Sequence, residues 1–343
     1  MPPLALKLKK SFNNVGIDES GKTTQKAQVN KEEQLQLPSL KNGGLLIILH
    51  IPKTGGSSIS ATLRRHPAIT HHRGSTGPKI WKLHEKRMNT WLEATSSNTT
   101  ILEGFHQGKV HVLEIHTYPT FHSIVGQLQT WKHEMSHRLK IPVFAFAMVR
   151  EPVSFQISSF NYLCLGRLTN PRKHCRGVSL DPHNPGVPTA EHLLAFHRPN
   201  NQCSFLSEGW VDPSQRGWRL NKKSPSEEKC MSVFQNLYTY MDWIGVTSQM
   251  NETLEVLDRV LPLASTTTTT TTNGSSSTSQ KMFSQLFTSE NVSSEKLKNP
   301  LSLKQLNSTV LDRLKLDNAI DANMVDYVTS RYRLESVSVV GDN

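Results

Sequence analysis

The strongest constraint on the fold is a short apolar block that ends abruptly in a glycine-rich turn. The stretch "LLIILHIPKTGGSS" covers Leu45 to Ser58. Its apolar part, Leu45 to Ile51, is too short and too sharply bounded for a helix and predicts a buried strand. A helical pattern follows from Gly56 to Arg65 and ends before Pro67. A strand that feeds a glycine-rich turn and then a helix is typical of α/β proteins with an anion site.

The alternation of strands and helices continues along the chain. Lys109–His116 and Ile141–Val149 predict two further strands, and an apolar stripe from Tyr118 to Lys140 predicts a helix between them. A short strand and a helix follow in "MDWIGVTSQMNETLEVLDRVL", and two helical segments lie near 301–316 and 318–333. The pattern predicts an α/β fold, a P-loop-like open parallel sheet flanked by helices with right-handed crossovers.

The chain of 343 residues suits one large domain. Residues 1–43 are polar and aperiodic, and we predict a disordered leader there. Residues 44–335 form the predicted single domain, although 70–108 show no clear period. A run of seven threonines opens a low-complexity Thr/Ser insert at about 265–280, which we interpret as a surface loop without regular structure.

The chain is basic, with a net charge of +11 at pH 7. Such a surplus favours anionic partners, which include nucleic acids, anionic lipids and acidic glycans. Aromatic residues make up only 7% and do not alternate with the basic runs, so we expect no nucleic-acid partner. No segment reaches the roughly 18 apolar residues of a membrane span, so we expect none in this chain.

Four cysteines and five glycosylation sequons bear on the compartment. The cysteines have no zinc-ligand spacing and are either free buried thiols or two disulfides. Together with the sequons they favour a secretory compartment. The expected location is the Golgi lumen, or a membrane-associated position, if the N-terminus is incomplete, and the cytoplasm otherwise. The cysteines are Cys164, Cys175, Cys203 and Cys230, and the sequons begin at Asn98, Asn251, Asn273, Asn291 and Asn307.

A literal P-loop match lies near the N-terminus, where "GIDESGKTT" spans Gly16 to Thr24. The motif binds phosphate only where a strand enters the loop and a helix leaves it. The preceding residues "LKKSFNNV" are polar and predict no strand, and no later segment offers a clear acidic strand end for magnesium. We interpret the match as chance. The enzyme that it would indicate, a P-loop kinase or NTPase, remains one alternative, and a basic nucleic-acid-binding protein is another.

The turn after the first strand is the better anion site because its context is right. Its lysine precedes the glycines, whereas a P-loop places its lysine after them. The glycines allow close approach of an anion, and the helix start supplies free N–H groups and a positive dipole end. The candidate binding residues are Lys53, Thr54, Gly55, Gly56, Ser57 and Ser58.

Two motifs resemble those of a known family. "HIPKTGGSS" resembles the 5′-phosphosulfate loop of sulfotransferases that use 3′-phosphoadenosine-5′-phosphosulfate (PAPS), in character the Golgi enzymes that sulfate heparan sulfate, uronyl and galactose units. "VREPVSFQISSFNYL" is similar to the family's 3′-phosphate element, with Arg150 and Ser158 at its arginine and serine positions. The resemblance spans roughly residues 44–335 and is strongest at the two motifs.

This resemblance implies the sulfotransferase fold, PAPS as co-substrate and no metal. It also implies transfer of a sulfonate to a hydroxyl, which we expect on an anionic or neutral glycan. The planar fork of Arg150 suits a phosphate, although a helix-entry salt bridge with Glu151 is the plain alternative.

The chemistry needs a cation at the leaving oxygen and a base for the acceptor hydroxyl. Lys53 is the expected cation. Strand alternation places Val112, Glu114 and His116 on one face, with His116 at the strand end beside the loop. An ordinary pKa near 6.5 would suit His116 as the base. Glu114 either orients His116 or is itself the base, and a purely structural histidine also remains open.

The acceptor site is the least defined part of the sequence. Basic segments follow both motifs, and they either bind an acidic glycan or form solvated loops. Their members are Arg64, Arg65, His71, His72, Arg73, Arg167, Arg172, Lys173 and Arg176.

Overall fold

The computed structural model describes most of the predicted domain. The described residues are 34–72, 78–94, 102–116, 120–165, 189–208, 225–261, 265–270, 276–281, 287 and 300–340. The P-loop match at 16–24 and most of the predicted leader lie outside them. So do the acceptor candidates Arg73, Arg167, Arg172, Lys173 and Arg176.

The strands form a central parallel sheet and two small ladders. The strands are β1 (Leu35–Pro38), β2 (Gly44–His50), β3 (Ile69–His72), β4 (Val110–His116), β5 (Val143–Val149), β6 (Trp243–Val246), β7 (Ser265–Thr270), β8 (Ser276–Lys281) and β9 (Val337–Val340). The central sheet has five strands in the order β3-β4-β2-β5-β6, and every neighbouring pair is parallel. This confirms the predicted α/β fold with an open parallel sheet.

The helices flank this sheet. They are α1 (Gly56–Arg64), α2 (Pro78–Leu92), α3 (Glu103–His106), α4 (Phe121–His133), α5 (Pro152–Phe160), α6 (Ala190–Phe196), α7 (Asn201–Glu208), α8 (Glu227–Tyr240), α9 (Met250–Val260), α10 (Ser308–Asp317) and α11 (Ala319–Arg331). Every residue of β2 and of β5 is buried, as expected for parallel strands covered on both faces. Continuous apolar runs therefore produce these two strands.

Several elements depart from the predictions. The domain extends beyond 44–335 at both ends, because β1 pairs in parallel with β9 and Leu37 is buried in the main core. The stretch 70–108, which shows no clear period, contains β3, α2 and α3. The Thr/Ser insert contains an antiparallel ladder of β7 and β8 instead of a loop without regular structure.

The strand order creates a crevice beside the central strand. The chain leaves β2 towards β3 on one side, whereas it leaves β5 towards β6 on the other side. Because β2 and β5 are neighbours, their carboxyl ends border a topological switch point, where open α/β sheets bind ligands. The loop after β2 and Arg150 after β5 meet at this crevice.

A disulfide joins Cys203 at the start of α7 to Cys230 on α8. Cys164 is also disulfide-bonded, and none of the described cysteines is free. The free-thiol alternative is therefore wrong for these three, while Cys175 lies outside the described residues.

Replacing both Cys203 and Cys230 with alanine should lower the free energy of unfolding by about 3–4 kcal/mol. The bridge spans a sequence separation of 27 residues, and its loss releases that loop in the unfolded chain. Urea unfolding followed by circular dichroism measures the change. Ser204→Ala, at the next buried position of α7, is the matched control and should cost far less. A loss below 1 kcal/mol in the double variant would contradict the prediction.

Candidate functional site

The loop between β2 and α1 is strained at its lysine. Lys53 has a φ of 66° and Gly55 has a φ of 92°. A non-glycine residue in this left-handed region costs roughly 1–3 kcal/mol and persists only where its surroundings impose it. Here Arg150 Nη1 donates to the carbonyl oxygen of Lys53 at 3.0 Å. Such strain is typical of ligand-binding loops.

The loop hydroxyls are not equivalent. Thr54 is buried, and its Oγ1 donates to the carbonyl oxygen of Ile51 at 2.7 Å. Ser58 is buried as well, whereas Ser57 is exposed at the start of α1. Among the predicted hydroxyl donors, Ser57 is therefore the accessible one, and Thr54 uses its hydroxyl proton to close the loop.

The start of α1 is open to an anion. Its N-cap residue is Gly55, which has no side chain to cap the helix, and the first turn contains no acidic residue. The first N–H groups of a helix have no acceptor within the helix, and they carry its positive dipole end. Position 56 requires a glycine for a different reason. A Cβ on Gly56 would lie 2.7 Å from Cδ2 of His50.

Two cations meet at the crevice. Burial, and secondarily the guanidinium of Arg150, lowers the pKa of Lys53 to about 8. The Lys53 ammonium lies 4.1 Å from the ring centroid of Tyr162, and Arg150 Nε is buried with no hydrogen-bond partner among the described residues. Within the described ranges, neither cation forms an ion pair with a carboxylate. Glu151, the alternative partner of Arg150, accepts a hydrogen bond from Ser248 instead. An anion would satisfy both cations.

Ser158, the other predicted 3′-phosphate residue, is half-buried on α5. It lies eight residues after Arg150, about two helical turns along the chain. Pro152 occupies the first turn of α5, where a proline is tolerated.

On the other side of the loop, two histidines end neighbouring strands. His50 and His116 are register partners in the pairing of β2 with β4, and their ring centroids are 4.4 Å apart. His50 Nδ1 lies 2.5 Å from Oε1 of Glu114, and His71 Nε2 lies 3.5 Å from Oε2 of the same carboxylate. Burial alone would raise the pKa of Glu114, but these contacts, led by the hydrogen bond from His50, lower it to about 2.

His116 is partly exposed, and its Nδ1 is buried without a hydrogen-bond partner in the part of the chain that the structure describes. Burial, and secondarily the neighbouring His50, lowers the pKa of His116 to about 3. The prediction of an ordinary value near 6.5 is therefore wrong, because the strand end is more enclosed than its sequence suggests. His116 is neutral at neutral pH.

His50 is the site residue that the sequence analysis missed. It is only 4% exposed, and its Nε2 lies 3.4 Å from Oγ of Ser57. The imidazole therefore connects Glu114 on β4 to the start of α1. The sequence feature that could have indicated His50 is its position as the last residue of β2, directly before the loop.

The described acceptor candidates do not join one site. Arg64 and Arg65 are exposed at the far end of α1, about 13 Å along the helix axis from the loop. His71 contacts Glu114, whereas His72 stacks on His111, a residue of the other face of β4. The described members of the basic segments thus lie at separate places in the fold.

No family model matches the chain, and none of the curated proteins searched matches it. Within the described ranges, no helix has the length and apolar character needed to cross a membrane. No group of three or more His, Cys, Asp or Glu side chains in that part of the chain is arranged to hold a metal ion.

Proposed function

We propose that this protein is a PAPS-dependent O-sulfotransferase with the sulfotransferase fold. The observation that carries the proposal is the meeting of Lys53 and Arg150 at the switch point, where neither cation forms an ion pair with a carboxylate of the described residues, although burial lowers the pKa of Arg150 and Glu151 raises it in part. PAPS has a 3′-phosphate and a 5′-phosphosulfate, so it requires two anion sites. The orphaned Nε of Arg150 fits the first group, and the open start of α1 with Lys53 fits the second.

Each of the two anionic groups of PAPS has a set of residues that would bind it. The ammonium of Lys53, the hydroxyl of Ser57 and the backbone N–H groups around Gly55 and Gly56 would bind the 5′ end. Arg150 would bind the 3′-phosphate, with Ser158 as a second donor. When bound, PAPS supplies an activated sulfonate and a phosphate leaving group. Lys53 would stabilise the charge that develops on the leaving oxygen.

His116 is the base in this proposal. It is neutral and partly exposed at the strand end beside the loop. As the acceptor oxygen forms its bond to sulfur, His116 takes the hydroxyl proton while the bond from sulfur to the bridging oxygen breaks. Glu114 is a poorer base because it is engaged by His50 and has the lower pKa. Its role is to hold His50 against the loop.

The acceptor class rests on the resemblance and on charge. A net charge of +11 supports an acidic glycan, although a neutral glycan is compatible with the same site. Disulfides at Cys164 and at Cys203–Cys230 support folding in an oxidising compartment such as the secretory pathway. The sequon asparagines Asn251 and Asn307 are exposed, as glycosylation there would require.

A transfer assay with labelled PAPS against a panel of glycans, phenols and sterols tests the proposal. We expect transfer to a carbohydrate hydroxyl and binding of adenosine 3′,5′-bisphosphate. ATP binding that depends on residues 1–33 would favour a kinase or NTPase. Steeply salt-dependent DNA or RNA binding without affinity for PAPS would favour a nucleic-acid-binding protein. A deletion must stop at residue 33, because β1 begins at Leu35.

The affinity for adenosine 3′,5′-bisphosphate should fall as the pH rises through about 8. The pKa of Lys53 in the free protein is about 8, so its positive charge is present below that pH and is lost above it. The phosphate monoesters have a second pKa of about 6, so they are mostly dianionic from pH 7 upward and contribute little to the change. Titration calorimetry between pH 7 and 9.5 should show a fall that approaches about tenfold per pH unit.

Lys53→Arg is the matched control for this pH profile, because a guanidinium keeps its charge across the whole range. Its affinity should stay nearly constant between pH 7 and 9.5. An equal fall in the variant and in the wild-type protein would show that another group causes the pH dependence.

A further inference from the structure

The backbone of Arg150 is held by a side chain from outside the sheet. The N–H of Arg150 donates to Oε1 of Gln202 at 3.0 Å, and Nε2 of Gln202 donates to the carbonyl oxygen of Arg150 at 2.7 Å. Gln202 is fully buried. One side-chain amide therefore pairs with both polar groups of a single backbone residue.

These two hydrogen bonds lie at the point where the strand pairing of β5 has ended. The pairing of β5 with β2 ends at Ala147, and its pairing with β6 ends at Val149. Arg150 is the next residue, and it lies beyond both of these strand pairings. Gln202 replaces the missing strand partner and pairs both of these backbone groups.

The helix that carries Gln202 is itself anchored at its first turn. The carboxylate of Asp321 on α11 accepts from the N–H of Gln202 at 2.8 Å and from the N–H of Cys203 at 2.9 Å. In return, Oδ1 of Asn200 accepts from the N–H groups of Ile320 and Asp321 at 3.1 and 3.2 Å. The starts of α7 and α11 thus cap each other.

A covalent bond adds to this anchor. Cys203 follows Gln202 directly and is bridged to Cys230 on α8. Gln202 therefore projects from a turn that is fixed by α8 and α11, and it has little freedom to follow a displaced Arg150.

The side chain of Arg150 is constrained in the same way. Its Nη1 donates to the carbonyl oxygen of Lys53, while its Nε is buried and finds no hydrogen-bond acceptor within the described ranges. Gln202 thus holds the backbone of Arg150 and the loop holds its Nη1, so both ends of this residue are fixed where the 3′-phosphate would bind.

We infer that Gln202 is a positioning residue for the 3′-phosphate site, which acts by fixing the backbone of Arg150 from α7. This inference rests on the proposed function. In this proposal Gln202 does not itself contact PAPS. Its loss should therefore weaken recognition of the 3′-phosphate and leave recognition of the 5′ end intact.

The test compares two ligands that differ only in the 3′-phosphate, adenosine 3′,5′-bisphosphate and adenosine 5′-monophosphate. Gln202→Met keeps the side-chain volume and removes both hydrogen bonds to Arg150. We expect its affinity for the bisphosphate to fall roughly tenfold, with the affinity for the monophosphate unchanged within about twofold. Combined with Arg150→Ala, it should cause no further loss, as expected for two residues that act as one unit.

Gln156→Met is the matched control. Gln156 is also a fully buried glutamine, and its Nε2 donates to the carbonyl oxygen of Arg198 and to Oδ1 of Asn318 rather than to Arg150. It should lower the melting temperature by a similar amount and leave the affinities for both nucleotides unchanged. This separates positioning of Arg150 from a general loss of stability.

If the wild-type protein binds the bisphosphate and Gln202→Met binds it with the same affinity, the inference is overturned but the proposed function is not. An equal loss for both nucleotides would overturn it as well. Absence of wild-type binding would overturn the proposed function and the inference with it. If Gln202→Met does not fold, Asp321→Asn replaces it, because it weakens only the anchor of α7. That variant should lose affinity for the bisphosphate selectively, and an unchanged affinity would contradict the inference.

Discussion

Replacing Lys53 with alanine should reduce sulfonate transfer from labelled PAPS by about 10²–10³-fold or more. The reason is electrostatic: Lys53 is the cation at the start of α1, and no carboxylate among the described residues neutralises it. Its loss leaves the developing charge on the leaving oxygen to the backbone N–H groups and the hydroxyl of Ser57. Single-turnover assays with labelled PAPS measure the effect on the chemical step.

Two further variants separate chemistry from folding. Lys53→Gly removes the same side chain and also relieves the strain at a φ of 66°, so it should raise the free energy of unfolding by about 1 kcal/mol while transfer is still lost. Lys22→Ala alters the lysine of the literal P-loop match and should leave transfer unchanged. Wild-type turnover in Lys53→Ala, or a loss of turnover confined to Lys22→Ala, would refute the assignment of the loop.

Replacing His116 with alanine should slow transfer by roughly 10²–10⁴-fold with the affinity for adenosine 3′,5′-bisphosphate unchanged. His116 lies at the end of β4, on the opposite side of β2 from Arg150. It can therefore serve the acceptor hydroxyl without touching the 3′-phosphate site. The matched control is His111→Ala, which removes a histidine of the same strand that stacks on His72. That control should keep the wild-type rate per folded molecule.

The pH dependence of the transfer rate is a second test of the role of His116. A base must be deprotonated, and the pKa of His116 is about 3. The rate should therefore not fall through protonation of this residue as the pH decreases from 7 to 5. A fall centred near 6.5 that disappears in His116→Ala would contradict the lowered pKa. Loss of folding in His116→Ala, seen by circular dichroism, would instead support a structural histidine.

Much of the sheet could be predicted because its signals are local. The apolar runs at Leu45–Ile51 and Ile141–Val149 correspond to β2 and β5, and the glycine and proline positions mark the starts of α1 and α5. These patterns depend on neighbours a few residues away. For that reason the loop and Arg150 could both be chosen as candidates before their spatial relation was known.

Other elements depend on partners that are distant in sequence. β1 pairs with β9, so that Leu35 lies opposite Val337, and each of the two strands is only four residues long. Gln202 lies on α7, and its partner Arg150 is 52 positions away in the sequence. Packing against the rest of the domain stabilises these segments, and a single sequence does not display it.

The protonation states of the site also depend on the fold. The sequence predicts an ordinary pKa for a histidine at a strand end. In the fold, burial and the nearby His50 lower the pKa of His116 to about 3. Glu114 was a candidate base until the contact with His50 engaged its carboxylate. Both changes arise from side chains on neighbouring strands.

The sequence by itself determined the strand, the glycine loop with Lys53 and the helix after it, because short-range hydrophobic patterning and backbone freedom specify such units. Only the tertiary structure decided which groups surround that loop. The parallel sheet places His50 and His116 on one side of it and Arg150 on the other, and α7 adds Gln202 from outside the sheet. Burial and long-range contacts set these positions, and they determine the charge that each group carries.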